Sequence, residues 1–202
     1  MYSIVYGLEG REGLEVEKEL IVKCKKHDKT SLRKLFHTYE KYLYNLCYGY
    51  TQNEQDALDM VQETFIKVFN NLSSFDDKLP FHPWIRKITV NTCLNFKRGK
   101  KSNVISLNKE ILEDLTLEHT LASKENIEMD MLDGEVREII KKNIKRLPEM
   151  YRLIITLRYY EDLSYNEISL ILDKPLGTVK TELYRAKILL RNFLKNQLEV
   201  ES

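Results

Sequence analysis

An all-α fold of two helical domains joined by an acidic linker, the C-terminal one a helix-turn-helix, is predicted from three observations. Apolar residues recur at steps of three and four along most of the 202 residues. Seven Gly and four Pro are too few for a turn-rich β protein. No stretch demands a strand, and no internal repeat is visible. With 43% hydrophobic residues the chain can build a core, and 31% charged residues suit long helices with solvated faces.

The elements follow in chain order. Leu32, Leu35, Phe36, Tyr39, Leu43, Leu46, Cys47 and Tyr50 lie on one face of a long helix, with Thr30 or Ser31 as its cap. Asn53 caps the next helix, whose buried stripe is Ala57, Val61, Phe65, Val68 and Leu72. Residues 71–80 are a loop by composition. Pro83 suits the first turn of a helix running to about Gly99, with Trp84, Ile85, Ile88 and Thr92 inward. Residues 102–122 keep no clear period and read as a linker. The helical period returns from about Lys124, and Val136, Ile139, Ile140, Ile144 and Leu147 share a face. Pro148 marks a boundary before a helix from Glu149 to Tyr160. Ser164 and Glu167 have capping-box spacing and open a short helix to about Leu172. A turn at 173–177 leads to a last helix from Thr178 to about Lys195.

Charge is strongly segregated although the chain as a whole carries only +1. Residues 1–81 carry −2, residues 82–101 carry +6 with no acid, residues 102–135 carry −7, and residues 136–202 carry +4. Two basic regions flanking an acidic middle point to two modules that each meet a polyanion.

The turn chemistry at 173–177 and the basic helix after it form the helix-turn-helix. Val179, Leu183, Ala186, Leu190 and Phe193 form the inner face of the last helix. Lys180, Thr181, Tyr184 and Arg185 point elsewhere, with Lys187 and Arg191 nearby, which suits entry into a major groove. Arg185 can reach guanine, Thr181 and Tyr184 can touch base edges or phosphate, and Thr178 opens a helix start that can hold a phosphate. In the first module Lys87, Asn91, Asn95 and Arg98 share one stripe, and such residues read bases and hold phosphates. Phe75 and Phe81 are candidates for contact with unstacked bases, core packing being the other reading. Asp59, Gln62 and Glu63 form an acidic patch opposite the buried stripe, with no basic partner at the right spacing. It can meet a basic protein surface or be a solvated face.

Other classes find less support. No apolar run approaches the roughly 18 residues of a membrane span. The stretch Met1 to Glu9 has no basic n-region, so no secretory leader is expected. Cys24, Cys47 and Cys93 are odd in number and widely spaced, which suits a reducing cytoplasm rather than a disulfide framework. Cys24 and His27 have ligand spacing but lack a second pair. No Gly-rich phosphate loop or nucleophile–base pattern occurs, so no catalytic residue, metal or cofactor is expected. A DNA-binding regulator would explain the helix-turn-helix, but not the acidic patch or the second basic helix.

In order and spacing, residues 56–65 (DALDMVQETF), 84–91 (WIRKITVN), 147–152 (LPEMYR), 157–160 (LRYY), 163–168 (LSYNEI), 177–180 (GTVK) and 184–187 (YRAK) resemble a bacterial RNA polymerase sigma factor of the small extracytoplasmic-function (ECF) type. The resemblance divides the chain into a 1–16 extension, region 2 at 17–101, a linker at 102–131 and region 4 at 132–202. It implies a cytoplasmic initiation factor with no membrane segment of its own. Asp59, Gln62 and Glu63 would dock on the β′ clamp helices of core polymerase, region 4 on the β flap. Loop 72–82 with Phe75, and the stripe Lys87, Asn91, Asn95 and Arg98, would open and read the −10 element of promoter DNA. Thr178, Lys180, Thr181, Tyr184, Arg185 and Lys187 would read the −35 element. The acidic linker would run near the nascent RNA path, and an anti-sigma factor is an expected partner. Three departures stand out. Glu182 occupies a position where the family usually carries Arg, and a carboxylate there repels phosphates. Asn95 replaces a common Asp, and residues 1–14 match nothing in the family pattern.

Overall fold

The computed structural model describes residues 18–99 and 134–200, with side chains at 18–96 and 138–196, and all regular structure among them is helical. The N-terminal module holds α1 (Lys18–Lys25), α2 (Lys29–Thr51), α3 (Glu54–Asn71), a 3-10 turn (Leu72–Ser74) and α4 (Phe81–Gly99). The C-terminal module holds α5 (Gly134–Arg146), α6 (Glu149–Ile155) with a π turn (Thr156–Tyr160), α7 (Tyr165–Leu172) and α8 (Leu176–Val200). The expected linker 102–131 lies outside the described residues.

Capping chemistry sets the helix starts. The cap of α2 is Asp28, not Thr30 or Ser31: its carboxylate accepts from Ser31 N at 2.7 Å, and Ser31 is buried inside the first turn. Asn53 caps α3 as expected, accepting from Asp56 N at 2.9 Å. Between them Gln52 ends α2 in the left-handed region at φ 55, its side chain donating to the carbonyls of Tyr48 and Gly49 at 3.0 Å each. Those two bonds satisfy terminal carbonyls that the helix leaves without partners.

The expected stripes are the core. Leu35, Tyr39, Leu43, Leu46, Cys47 and Tyr50 of α2 pack against Ala57, Val61, Phe65 and Val68 of α3 and Ile85, Val90 and Cys93 of α4. Leu32 and Phe36 are half-buried at its edge. Cys24, Cys47 and Cys93 are free and buried, and burial pushes the Cys24 thiol up to about 11, with Asp28 adding to the rise.

The C-terminal module closes over Ile144, Leu147, Leu153, Ile154, Leu157, Ile168, Val179 and Leu183. The single helix expected over 149–160 widens at Thr156, where Glu161 N reaches back five residues to Thr156 O at 2.9 Å. Asp162 then turns the chain at φ 48, and the Ser164–Glu167 capping box opens α7 with bonds of 3.2 and 2.8 Å. Ser164→Ala is expected to cost about 1 kcal/mol, seen as a drop of a few degrees in thermal midpoint. Helix α8 starts at Leu176, before the expected Thr178, because Val179 N already bonds Pro175 O at 3.1 Å.

The modules touch. α6 and its π turn lie along α2, and α7 lies against α4.

Candidate functional site

Three helix surfaces stand out from this frame. On α3, burial of Ala57, Met60, Val61, Thr64, Phe65 and Val68 turns Leu58, Asp59, Gln62, Glu63 and Ile66 to solvent. The patch does have a basic partner at helical spacing. Lys67 Nζ lies 2.6 Å from Glu63 Oε1 and also reaches Thr92 Oγ1 on α4 at 3.2 Å. Asp59 accepts from Gln55 Nε2 at 3.2 Å, and among the described residues no cation pairs with it. Leu58 and Ile66 are 47% and 59% exposed, so the surface is an acidic strip with apolar flanks. Both flanks fall within the 56–69 stretch expected to bind polymerase, although only Asp59, Gln62 and Glu63 are singled out from sequence. Their spacing of four from Gln62 is the signal that places them on the same face.

On α4, Lys87, Asn91 and Asn95 are exposed along one stripe, while Ile85, Thr89, Val90, Thr92 and Cys93 are buried. The side chain of Arg98 lies outside the described residues. Phe75 is only 5% exposed, wedged against Phe81 and Trp84 at ring separations of 5.3 and 4.9 Å. Phe81 is buried as well. Both rings therefore pack, since burial among neighbouring aromatic rings at edge-to-face and tilted separations stabilises large apolar side chains. The loop above them is tied down. Lys25 Nζ donates to Phe75 O at 2.6 Å and pairs with Asp77 at 2.7 Å, and Lys78 N bonds Asp76 Oδ1 at 3.0 Å. Leu79, 58% exposed, stands at its tip. Arg86, counted in the basic block, is turned inward and buried.

On α8, Thr178, Lys180, Tyr184 and Lys187 are exposed and Thr181 and Arg185 are half-exposed. Thr181 Oγ1 donates to Gly177 O at 2.9 Å, leaving its lone pairs outward. The Arg185 guanidinium sits beside the Tyr151 phenol, whose pKa burial raises and Arg185 opposes. Glu182 bends toward the turn, where Lys174 Nζ holds it at 2.6 Å with both side chains mostly covered. Ser169 Oγ also donates to Lys174 O at 2.5 Å. The carboxylate is thus neutralised within the helix-turn-helix and braces the turn that aims α8.

The arrangement joins one acidic and two basic or polar helical faces, the last on a helix-turn-helix. The described residues hold no helix long and apolar enough to cross a membrane. Two family profiles match in this order, Sigma-70 region 2 at residues 35–103 and Sigma-70, region 4 at residues 137–190. Among curated relatives, the ECF RNA polymerase sigma factor SigW of Bacillus subtilis is 33% identical over 89% of this chain and 97% of its own length. The ECF RNA polymerase sigma-E factor of Escherichia coli K12 is 34% identical over 83% and 88%. In fold, the chain resembles CnrH, solved in complex with the cytosolic domain of CnrY (TM-score 0.52, 19% identity, 92% and 98% covered). It also resembles the sigma factor RpoE of Bartonella quintana, solved with the anti-sigma factor NepR (TM-score 0.55, 21% identity, 81% and 96% covered). The helical pair of modules, the two matched regions and full-length relatives at a third identity agree, and the chain belongs to the ECF group of RNA polymerase sigma factors, the initiation factors of bacterial transcription.

Proposed function

We propose that the chain docks on the β′ clamp helices of core polymerase through Asp59, Gln62 and Glu63. Loop 72–82 and α4 open and read the −10 element, and α8 reads the −35 element. The observation that carries this reading is the simultaneous exposure of one acidic and two basic or polar helix faces on the two modules. A regulator acting alone would use the α8 face and leave the acidic strip of α3 without a role. Leu58 and Ile66 extend the docking surface as apolar anchors around the acidic centre. Phe75 supports the loop from beneath, and unstacked bases meet the exposed tip at Ser73, Asp76, Lys78 and Leu79. Lys87, Asn91, Asn95 and Arg98 track the −10 strand. Thr178, Lys180, Thr181, Tyr184, Arg185 and Lys187 enter the −35 major groove, and region 4 rests on the β flap. The factor works in the cytoplasm, where polymerase is, and an anti-sigma protein covers the docking faces until a signal releases it.

Domain limits of 17–101, 102–131 and 132–202, after an extension at 1–16, accompany this division of labour. Promoter opening by holoenzyme on templates altered in one element at a time separates the two readers. Asn91→Ala is expected to lower opening by about tenfold through the −10 element. Lys174→Ala releases the Glu182 carboxylate beside phosphates and weakens −35 binding severalfold, and Lys174→Ala with Glu182→Ala restores it. Loss that is the same on every template would refute the assignment.

A further inference from the structure

The charge of −2 over residues 1–81 hides a basic corner that neither the α3 strip nor the α4 stripe includes. Residues 23–34, where α1 meets α2, carry six basic side chains and one acid. His27, at φ 59, makes the junction tight. Cys24 O accepts from His27 N at 2.9 Å, and Lys23 O accepts from Lys26 N and Asp28 N at 3.1 and 3.2 Å. Two of the cations are engaged: Lys23 pairs with Glu19 at 2.8 Å, and Lys25 holds Asp77 and the Phe75 carbonyl. The acid of the corner, Asp28, commits its carboxylate to Ser31 N as the cap of α2. Lys26, Lys29, Arg33 and Lys34 are exposed, and among the described residues none of them pairs with an acid.

Helix stability does not account for this ridge. Cations in the first turns of a helix oppose its macrodipole, and α2 has no acid in its first turn to offset them. Lys29 and Arg33 stand four residues apart, a spacing at which like charges repel. A polyanion laid along the ridge would remove both penalties. Position narrows the choice of polyanion. Lys25 ties the corner to loop 72–82, its Nζ lying 5.9 Å from the centroid of the Phe75 ring in addition to its two bonds there. Lys78 is exposed on that loop. The ridge therefore begins beside the loop, and a strand whose bases are held at the loop tip can carry its phosphates across it. Phosphate contacts hold and orient a strand without reading its sequence.

We propose that Lys26, Lys29, Arg33 and Lys34 form a phosphate-holding ridge for single-stranded DNA where it leaves loop 72–82. That the strand comes from an opened promoter rests on the function proposed above, while the ridge is tested without polymerase. Fluorescence anisotropy of the full chain with a labelled single strand of mixed sequence, about 20 nucleotides long, is followed from about 50 to 200 mM salt. Each phosphate neutralised on a single strand contributes about −0.7 to the slope of log affinity against log salt. Lys29→Gln with Arg33→Gln and Lys34→Gln is expected to flatten that slope by about 2 and to weaken binding at least about tenfold at the lowest salt. Its thermal midpoint should not fall, since the lost charges opposed the helix dipole, which separates weaker binding from unfolding. An equal loss of charge on α5, Lys141→Gln with Lys142→Gln and Lys145→Gln, is expected to change affinity less than about threefold, which separates the ridge from net charge. A ridge variant that binds within about threefold of the unaltered chain, or no worse than the α5 variant, would overturn the ridge. Ridge-dependent binding that favours a duplex of the same sequence over the single strand would overturn its assignment to single-stranded DNA. Start sites made by the chain with core polymerase report the promoter reading separately, so either proposal can fail while the other stands.

Discussion

Asp59→Arg together with Glu63→Arg is expected to weaken binding to core polymerase by about 100-fold or more, with little change in folding. In the proposed docking two carboxylates set against a basic surface become two cations, and like-charge contact across an interface costs several kcal/mol. The fold loses little because both side chains are exposed. Asp59 bonds only Gln55 among the described residues. Glu63→Arg turns the ion pair with Lys67, four residues on, into a like-charge contact, a penalty of about 0.5 kcal/mol. Titration of labelled factor with core polymerase reads the affinity, and thermal unfolding checks the fold. Ile66→Ala should weaken the same interaction without altering its salt dependence, since it removes apolar contact rather than charge. Affinity within a factor of about three for the charge-reversed chain would remove α3 from the docking surface.

Arg152→Ala is expected to produce a large loss of stability, about 3 kcal/mol, and a fall in thermal midpoint of roughly 6 to 12 °C. Arg152 is 7% exposed, and its guanidinium serves three carbonyls: Tyr50 O through Nε and Nη2, and Lys145 O and Leu147 O through Nη1 at 3.1 and 2.5 Å. Tyr50 O is among the last carbonyls of α2, which the helix leaves unpaired and which a cation suits. Truncation strands these acceptors in a dry seam. Arg152→Lys should recover little, because an ammonium cannot reproduce a planar fork with donors on two sides. Thermal unfolding of the three chains checks the order, and a shift of less than about 2 °C for Arg152→Ala would contradict the bonding scheme.

Much of the local structure is legible in the sequence because its causes are local. Asn53 and the Ser164–Glu167 box act over three residues, and both form as their spacing indicates. The stripe Ala57, Val61, Phe65, Val68 and Leu72 needs only helical period. The α2 cap differs from expectation because Asp28, Thr30 and Ser31 are all cap formers, and the choice depends on which backbone turns first at His27, φ 59. The Lys67–Glu63 pair is legible at i,i+4, against the expectation of an acidic patch without a basic partner. The rest depends on long-range packing. A charged residue in a helical pattern reads as solvated, so the burial of Arg86 and Glu161 follows only from a contact between residues 75 positions apart. The π turn at 156–160 has no local residue signature, and it carries Glu161 to that contact. Likewise Phe75 in a loop reads equally well as a reader of bases or a core residue until Phe81 and Trp84 are placed beside it. The surface residues of α3, α4 and α8 are legible as faces because each is the complement of a buried stripe.

The most direct test is run-off transcription by bacterial core polymerase, with and without this chain, over a pool of promoter fragments. Addition of the chain should yield discrete start sites that core alone does not produce, and Asp59→Arg with Glu63→Arg should abolish them. Folded, inhibitor-free protein that neither activates core nor co-purifies with it would contradict the assignment as a promoter-directing factor.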